Sequence, residues 1–403
     1  RPWGGAQQHL LRPDMIEVRD TDRAGRGVFA VRRLKAGTEV VRALPAAAVC
    51  NDTALSSHCC VCLSPLPTTT PPCGKCRTSR LCGRCAASPA ARLVHDDECQ
   101  ALALLRSPPA GIAPPEDTRS LRLLLRLLLL RWRSAALPEE PQYADRAEDL
   151  AGDGTDVCVD EMEDVMDLFS PPEEEVPEQL ASNFLAMAQQ ARFFLGAHAR
   201  LGLAETSGLL GRAYCNSLTL YAPAEPGDPL REVGVGVSAS IAMFNHSCSP
   251  NAAWEIDSSG CLRVVTTAEV LAGDELRITY TDPRQPAATR RARLRRHFFF
   301  DCDCDLCLAG AAPWVCALCG HDNARGEPRC GGGSSSTAAG SAAAAGGGAG
   351  KGGQHSRARR ACGVLARHAA MPVAKRRRAA TASASRSTAT GESGAESAAW
   401  RCG

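Results

Sequence analysis

Sulfur and imidazole dominate the chemistry available to this chain. Its 21 cysteines fall mostly in short clusters. The densest, "CCVCLSPLPTTTPPCGKCRTSRLCGRCAASPAARLVHDDEC" (59–99), contains the pairs Cys59/Cys62, Cys73/Cys76, Cys82/Cys85 and His95/Cys99. Four ligand pairs are enough for two closed tetrahedral sites, and thiolates with one imidazole select zinc over Mg²⁺ or Ca²⁺. A second cluster, "FFFDCDCDLC", supplies Cys302, Cys304 and Cys307, three thiolates and one ligand short of closure. The stretch "IAMFNHSCSPNAAWEI" (241–256) offers the missing one in Cys248, beside Asn245, His246, Ser247 and Asn251. Polar groups in so apolar a run are costly to bury without partners. A last group, Cys316, Cys319 and Cys330 with His321 nearby, reads either as a fourth zinc site or as a degenerate ribbon.

The elements that must hold these groups alternate in kind. Residues 13–50 and 214–282 read as short strands joined by tight turns ("GRGVFAVRRLKAGTEVVRA", "CLRVVTTAEV"). Residues 59–99 carry Pro, Thr and Gly where a core should be, so metal replaces hydrophobic burial there. Helical patterns cover 119–135 and 179–213, separated by an acidic, Pro-punctuated segment over 138–178 that is expected to be a solvated insertion. In the first helix Arg119, Arg122, Arg126 and Arg133 fall within roughly 60° of one another. That predicts one wet stripe opposite a broad leucine face. From residue 331 the chain turns Gly/Ala/Ser-rich, the composition of disorder. The short basic runs "RARRA" (357–361) and "AKRRRA" (374–379) within it suit either nuclear import or weak nucleic-acid contact.

Net charge is +2 and the apolar fraction 44%, so no global field points to nucleic acid or a membrane. The most apolar window (121–132) is too short to span a bilayer. No secretory signal opens the printed chain, and the cysteines follow metal spacing. A reducing compartment, nucleus or cytoplasm, is expected.

"GRGVFA" (25–30), "CNSLTL" (215–220), "EVGVGVSASIAMFNHSCSPN" (232–251), "GDELRITYTD" (273–282) and the terminal cysteine trio stand in the order of a SET domain. With a MYND-type finger between the first two, the sequence resembles the SET and MYND domain family of protein lysine methyltransferases over residues 13 to 308. The implied fold is α+β. A β-rich SET domain (13–50 and 214–282) is split by the finger (59–99) and a helical linker and insertion (100–213). A post-SET zinc segment (283–308), a possible ribbon (314–330) and a disordered tail (331–403) follow, without the helical, TPR-like C-terminal domain of many members.

In the finger, the resemblance implies a cross-brace. Cys59, Cys62, Cys82 and Cys85 form one site and Cys73, Cys76, His95 and Cys99 the other, leaving Cys60 a decoy; one pair has two intervening residues where the family usually has three. It also completes the third zinc with Cys248. S-adenosylmethionine is expected against Gly25, Arg26, Gly27, Asn245, His246, Tyr280 and Phe300. Asn245 and His246 would touch it through backbone and amide groups, and Arg26 would face its carboxylate. Tyr280 is the expected catalytic residue and Leu218 and Phe298 line the lysine channel. Phe298 stands where many members have a second tyrosine, which implies a relaxed limit on the number of methyls added. The chemistry needs a neutral amine from a lysine whose solution pKa is about 10.4, so an apolar channel and the sulfonium must expel the proton. A protein substrate, a proline-rich peptide on the finger and a monomeric state are expected; direct nucleic-acid binding is not, because acidic "HDDEC" (95–99) offsets the finger's basic residues. The alternative function is a non-catalytic zinc adaptor.

Overall fold

The computed structural model describes residues 12–21, 24–111, 117–151, 157–196, 201–221, 231–257, 259–309, 314–315 and 322–323. These fall into two units, one of residues up to Pro171 with Val176–Tyr280, the other of Pro172–Glu175 with residues from Thr281 onward. No helix among them is long and apolar enough to cross a membrane.

In the first unit, β1 (Ile16–Thr21), β2 (Gly25–Ala30), β3 (Glu39–Leu44) and β4 (Ala47–Cys50) precede the finger, which holds α1 (Gly83–Ala87) and most of α2 (Pro89–Arg106). There follow α3 (Arg119–Ala136), α4 (Arg146–Ala151), β5 (Cys158–Val159), α5 (Met162–Met166), α6 (Glu178–Leu195) and α7 (Leu203–Asn216). Then come β6 (Ser217–Tyr221), β7 (Glu232–Val237), α8 (Ala239–Ala242), β8 (Asn245–His246), β9 (Ala252–Ile256), β10 (Leu262–Thr266) and β11 (Glu275–Ile278). They build three small sheets, in the orders β1-β2-β11-β8, β5-β3-β10-β9 and β4-β7-β6. Strands from both ends of the unit share each sheet, so the finger and helices are insertions into one β-rich body. Alternation sets the faces: Val28 and Ala30 on β2 and Leu276 and Ile278 on β11 are buried in a core that also takes Phe244 and Val264.

Helix α2 starts at a Ser88 N-cap, whose hydroxyl accepts from the Ala91 N–H at 3.0 Å, with Pro89 in its first turn. It runs through Cys99 without a break, so the finger has no structural edge there. Its inner face meets α3, and here the wet stripe expected on α3 is absent. Arg119, Arg122, Arg126 and Arg133 are all buried, each with an acid. Arg119 pairs with Glu232, Arg122 with Asp52, Arg126 with Glu98 and Arg133 with Asp97. Arg122 and Arg126 also donate to carbonyls of β4, at Cys50 and Ala48. Spacing located the stripe; it could not show that acids from three other segments meet it, which is what makes burying four cations tolerable.

The acidic segment likewise departs from a solvated insertion. Tyr143, Met162 and Val165 are buried, and β5 pairs in parallel with β3. Met162, Val165 and Met166 form a helical apolar stripe (i, i+3, i+4) inside an otherwise acidic run, and net composition hid it. Asp160 is buried too, accepting from the Ser240 N–H at 2.9 Å and from the hydroxyls of Ser238 and Ser240 at 2.5 Å each. Among the segment's described residues the runs 138–141 and 172–175 are exposed as expected.

The second unit contains α9 (Ala287–Phe298), α10 (Asp305–Ala309) and a two-residue ladder of β12 (Trp314–Val315) with β13 (Asp322–Asn323). Arg290 and Leu294 are the buried residues of α9, and Phe299 ends it in the left-handed region at φ 60°. Cys316, Cys319 and Cys330, and the tail from 331, lie outside the described residues.

Candidate active site and metal centres

Two tetrads converge in the finger. The sulfurs of Cys59, Cys62, Cys82 and Cys85 lie within 4.8 Å of one another, as do the ligand atoms of Cys73, Cys76, His95 and Cys99. Ligand pairs therefore alternate between sites along the chain, a cross-brace. Each site opens with a knuckle built the same way. Leu63 donates its N–H to the Cys59 carbonyl at 3.0 Å and Arg77 to the Cys73 carbonyl at 2.9 Å. Both residues sit at positive φ, 56° and 54°. Backbone N–H groups of Cys82, Cys85 and Ser79 point at the sulfurs of Cys59, Cys82 and Cys76, at 3.4, 3.4 and 3.5 Å. Such donors favour thiolate, the metal-binding form. Hydrogen bonding, first with Cys59, draws the Cys82 thiol down to about 6. Burial opposes the same drop at Cys76, but His95 and the Ser79 N–H bring it to about 6. His95 is buried, and neither ring nitrogen makes a hydrogen bond of normal geometry. A buried imidazole beside three thiols, neither nitrogen in a hydrogen bond of normal geometry, fits a zinc ligand.

Cys60 belongs to neither tetrad. Its thiol lies near His95 and Glu98, and burial pushes its pKa up. Glu98 is committed to Arg126 through both carboxylate oxygens, at 3.0 and 2.5 Å. Asp97 takes Arg133 at 2.7 and 2.8 Å and the Tyr143 hydroxyl at 3.0 Å. The acids of "HDDEC" at 97 and 98 thus neutralise α3 rather than the finger's basic surface.

The polar groups of residues 245–251 have partners in the same unit. Strand β8 lies parallel to β11, Asn245 opposite Arg277 and His246 opposite Ile278. The Asn245 amide donates to the Arg26 carbonyl at 2.8 Å and to Glu275 Oε1 at 2.7 Å. His246 Nδ1 accepts the Tyr280 N–H at 3.0 Å, so Nε2 carries the ring proton and donates to Cys248 Sγ at 3.2 Å. Asn251 acts as one more strand rung: Nδ2 donates to the Glu275 carbonyl at 2.9 Å, and Oδ1 accepts from the Arg277 N–H at 2.8 Å. Ser247 Oγ closes a turn with the Ser249 N–H and carbonyl, at 3.1 and 3.0 Å. The side chains of Asn245 and His246 are therefore engaged in shaping the loop.

Tyr280, next to β11, donates its hydroxyl to the Phe244 carbonyl at 2.6 Å, and its ring meets His246 at a centroid distance of 5.3 Å. Burial first, and then the nearby Glu275 charge, raise its pKa, so it is a phenol at neutral pH. Leu218 on β6 and Tyr280 pack against the same core. Both glycines of "GRG" have structural reasons. Gly25 turns at φ 70°, and a Cβ on Gly27 would stand 2.4 Å from Glu275 Oε1 and 2.9 Å from Asn245 Nδ2. Arg26 is half-buried and donates to the Asp167 carbonyl at 3.0 Å. In the second unit Cys302, Cys304 and Cys307 are buried with their sulfurs within 4.8 Å of one another. Phe298 and Phe300 are half-buried. Sequence reasoning singled out Asn251 without giving it a partner and missed Glu275, though the absence of any side chain at Gly27 was a usable sign that something comes close.

Split sheets, an inserted Cys/His finger and an Asn-His strand locked to a tyrosine define a SET-type fold carrying a finger. The SET domain model matches residues 25–281, and the chain belongs to that family. It is 38% identical over 97 residues to the human (Homo sapiens) histone-lysine N-methyltransferase SMYD3, covering 24% of this chain and 21% of that protein. It is 23% identical over 303 residues to the Arabidopsis thaliana histone-lysine N-methyltransferase ASHR1, covering 74% of this chain and 56% of the relative. Among solved structures it is similar to the SET domain of LSMT, a structure bound to lysine and AdoHcy, at 12% identity and TM-score 0.36, over 74% of this chain and 55% of that one. The chain thus spans about half the length, or less, of these proteins.

Proposed function

We propose that this chain is an S-adenosylmethionine-dependent protein-lysine N-methyltransferase acting on histone or non-histone lysines. One observation carries it: the Tyr280 phenol is held against the carbonyl of the residue before Asn245-His246, while its own N–H is held by His246. With its proton donated to Phe244, the phenol oxygen acts as an acceptor, to orient an amine and accept from a polarised methyl. Because its pKa is raised, Tyr280 works as a hydrogen-bonding group and not as a base.

The methyl donor, when bound, supplies an electrophilic methyl on a sulfonium. Gly25, Arg26, Gly27, Asn245, His246, Tyr280 and Phe300 would hold it. The Arg26 guanidinium supplies the cation its carboxylate requires, and the engaged Asn245 and His246 leave their backbone for contact. Leu218 and Phe298 line the lysine channel, where desolvation removes the ammonium proton and alignment supplies much of the acceleration. Zinc is bound at both finger tetrads and by Cys302, Cys304 and Cys307, with Cys248 as fourth ligand by family resemblance. A proline-rich peptide partner for the finger, a monomeric state and residence in nucleus or cytoplasm belong to the same reading.

The test is calorimetric titration with S-adenosylmethionine, followed by methyl transfer to histones and a lysine-peptide library. Wild type binds the donor and methylates. Tyr280→Phe keeps donor binding within a few-fold and loses turnover at least tenfold. Absence of donor binding in the wild type leaves the zinc adaptor instead. Strictly monomethylated product counts against the role given to Phe298.

A further inference from the structure

Helix α9 carries five arginines in "AATRRARLRRHF" and no acid. Arg290 is turned inward, donating to the carbonyls of Pro283 and Gln285 and to Cys307 Sγ at 3.7 Å. Arg295 is matched by Asp301, and Arg284, just before the helix, by Asp282. Arg291, Arg293 and Arg296 make no ion pair among the described residues, and the buried Nε atoms of Arg291 and Arg293 have no hydrogen-bond partner there. The exposed face between these arginines holds Ala288, Thr289 and Ala292. Burial first, and then repulsion from Arg293 and Arg296, hold His297 down to about 4, so it stays neutral among them.

This surface is a block of positive charge with no large apolar side chain on its exposed face. Protein hot spots are aromatic or arginine anchors seated in well-packed, desolvated surroundings, and this exposed face carries arginines among small residues with no exposed aromatic beside them. Planar guanidinium groups match phosphate well, and arginine is the only cation type on the helix. After an acidic stretch that includes Asp301, Asp303 and Asp305, the sequence from residue 331 regains the same sign. Residues 331–403 contain 11 Lys or Arg against two Glu, a net +9 within a chain whose total is +2. Whole-chain charge therefore hides a segregated distribution, so the near-neutral total does not speak against a local site for a polyanion away from the finger. An extended polyanion fits two separate basic blocks of one chain, α9 and residues 331–403, better than a compact acidic protein does.

We propose that the outer face of α9 binds the phosphate backbone of nucleic acid without reading bases. Each phosphate neutralised on a duplex releases counterions and adds about 0.9 to the slope of log affinity against log salt. The full zinc-loaded chain is titrated into a labelled 30-base-pair duplex, followed by fluorescence anisotropy between about 50 and 200 mM salt. The variant R291Q/R293Q/R296Q is expected to lose at least tenfold in affinity and two to three in slope, while R291K/R293K/R296K keeps the slope. Circular dichroism and zinc content establish folding. If the Gln triple fails them, R296Q alone, at an exposed position, is read for a loss of about one in slope. An unchanged slope in the folded Gln variant, or in R296Q, assigns binding to other residues and overturns the proposal. So does a wild type that fails to bind, or a poly-glutamate peptide that competes as well as duplex at equal charge.

Discussion

The backbone N–H of Tyr280 donates to the ring of His246 across 34 positions of sequence, at 3.0 Å. The same ring donates from its other nitrogen to Cys248 at 3.2 Å. One imidazole thus fixes both the start of the tyrosine segment and the sulfur two residues further along its own loop. His246→Ala removes the acceptor of the Tyr280 N–H and one donor to the Cys248 sulfur. It should cost about 1–3 kcal/mol, the usual penalty for an unsatisfied polar group. Chemical denaturation reads the stability. Methyl transfer should fall at least tenfold with Tyr280 unchanged, and turnover comparable to wild type would show that the ring does not position the phenol.

Gly27 tests the other side of the loop. A methyl group there would meet the Glu275 carboxylate and the Asn245 amide at distances real side chains do not adopt. Overpacking at such a site costs about 1–3 kcal/mol, and the two groups displaced are the ones that hold β8 against β11. Gly27→Ala should lower both stability and affinity for the methyl donor. Gly37→Ala is the control for strain without crowding, because Gly37, unlike Gly27, sits at positive φ and has open space around its Cβ position. It should cost backbone strain only, about 1 kcal/mol, and leave donor affinity unchanged.

The adjacent cysteines 59 and 60 should behave oppositely. Cys59 Sγ sits in a tetrad and accepts the Cys82 N–H at 3.4 Å, whereas Cys60 is a buried thiol outside both tetrads. Elemental analysis of Cys59→Ser should find one zinc fewer per chain than wild type, and chelator should release the rest of the finger metal faster. Cys60→Ser should keep the full complement. Loss of zinc from the Cys60 variant would mean that the first tetrad is drawn from the wrong neighbour.

What could be read from residue order and what could not divide along a physical line. Ligand spacing, strand alternation and motif order are local, and they led to the finger, the split β-rich body and the Asn-His loop. Pairing across the chain is not local. Nothing near Arg126 in sequence announces Glu98, and nothing near Asn245 announces Glu275. Net composition misled for the same reason. It concealed the buried stripe of Met162 and Val165 in an acidic run, and made Asp97 and Glu98 look like surface charge on the finger. Asn245 and His246 were expected to touch the methyl donor through backbone and amide groups; the Asn245 amide and the His246 ring hydrogen-bond to protein, a distinction only geometry can draw.

The Arg126–Glu98 pair shows how strongly finger and β-rich body depend on each other. Arg126 is buried on α3 and holds Glu98 of α2 together with the carbonyls of Ala48 on β4 and Cys60 in the finger. Removing one partner strands a buried charge, which typically costs about 3–5 kcal/mol, whereas replacing both with apolar groups is often neutral. Glu98→Leu alone should therefore be severely destabilising in urea unfolding. Arg126→Met with Glu98→Leu should recover part of that loss. Recovery will be incomplete, because the two carbonyls that Arg126 served are left without its donors. If the double variant were less stable than the sum of the two singles, the pair would not be the source of the coupling. If Glu98→Leu kept both full stability and full zinc content, the buried arginine would have to find another anion, and none lies within reach of its guanidinium among the described residues.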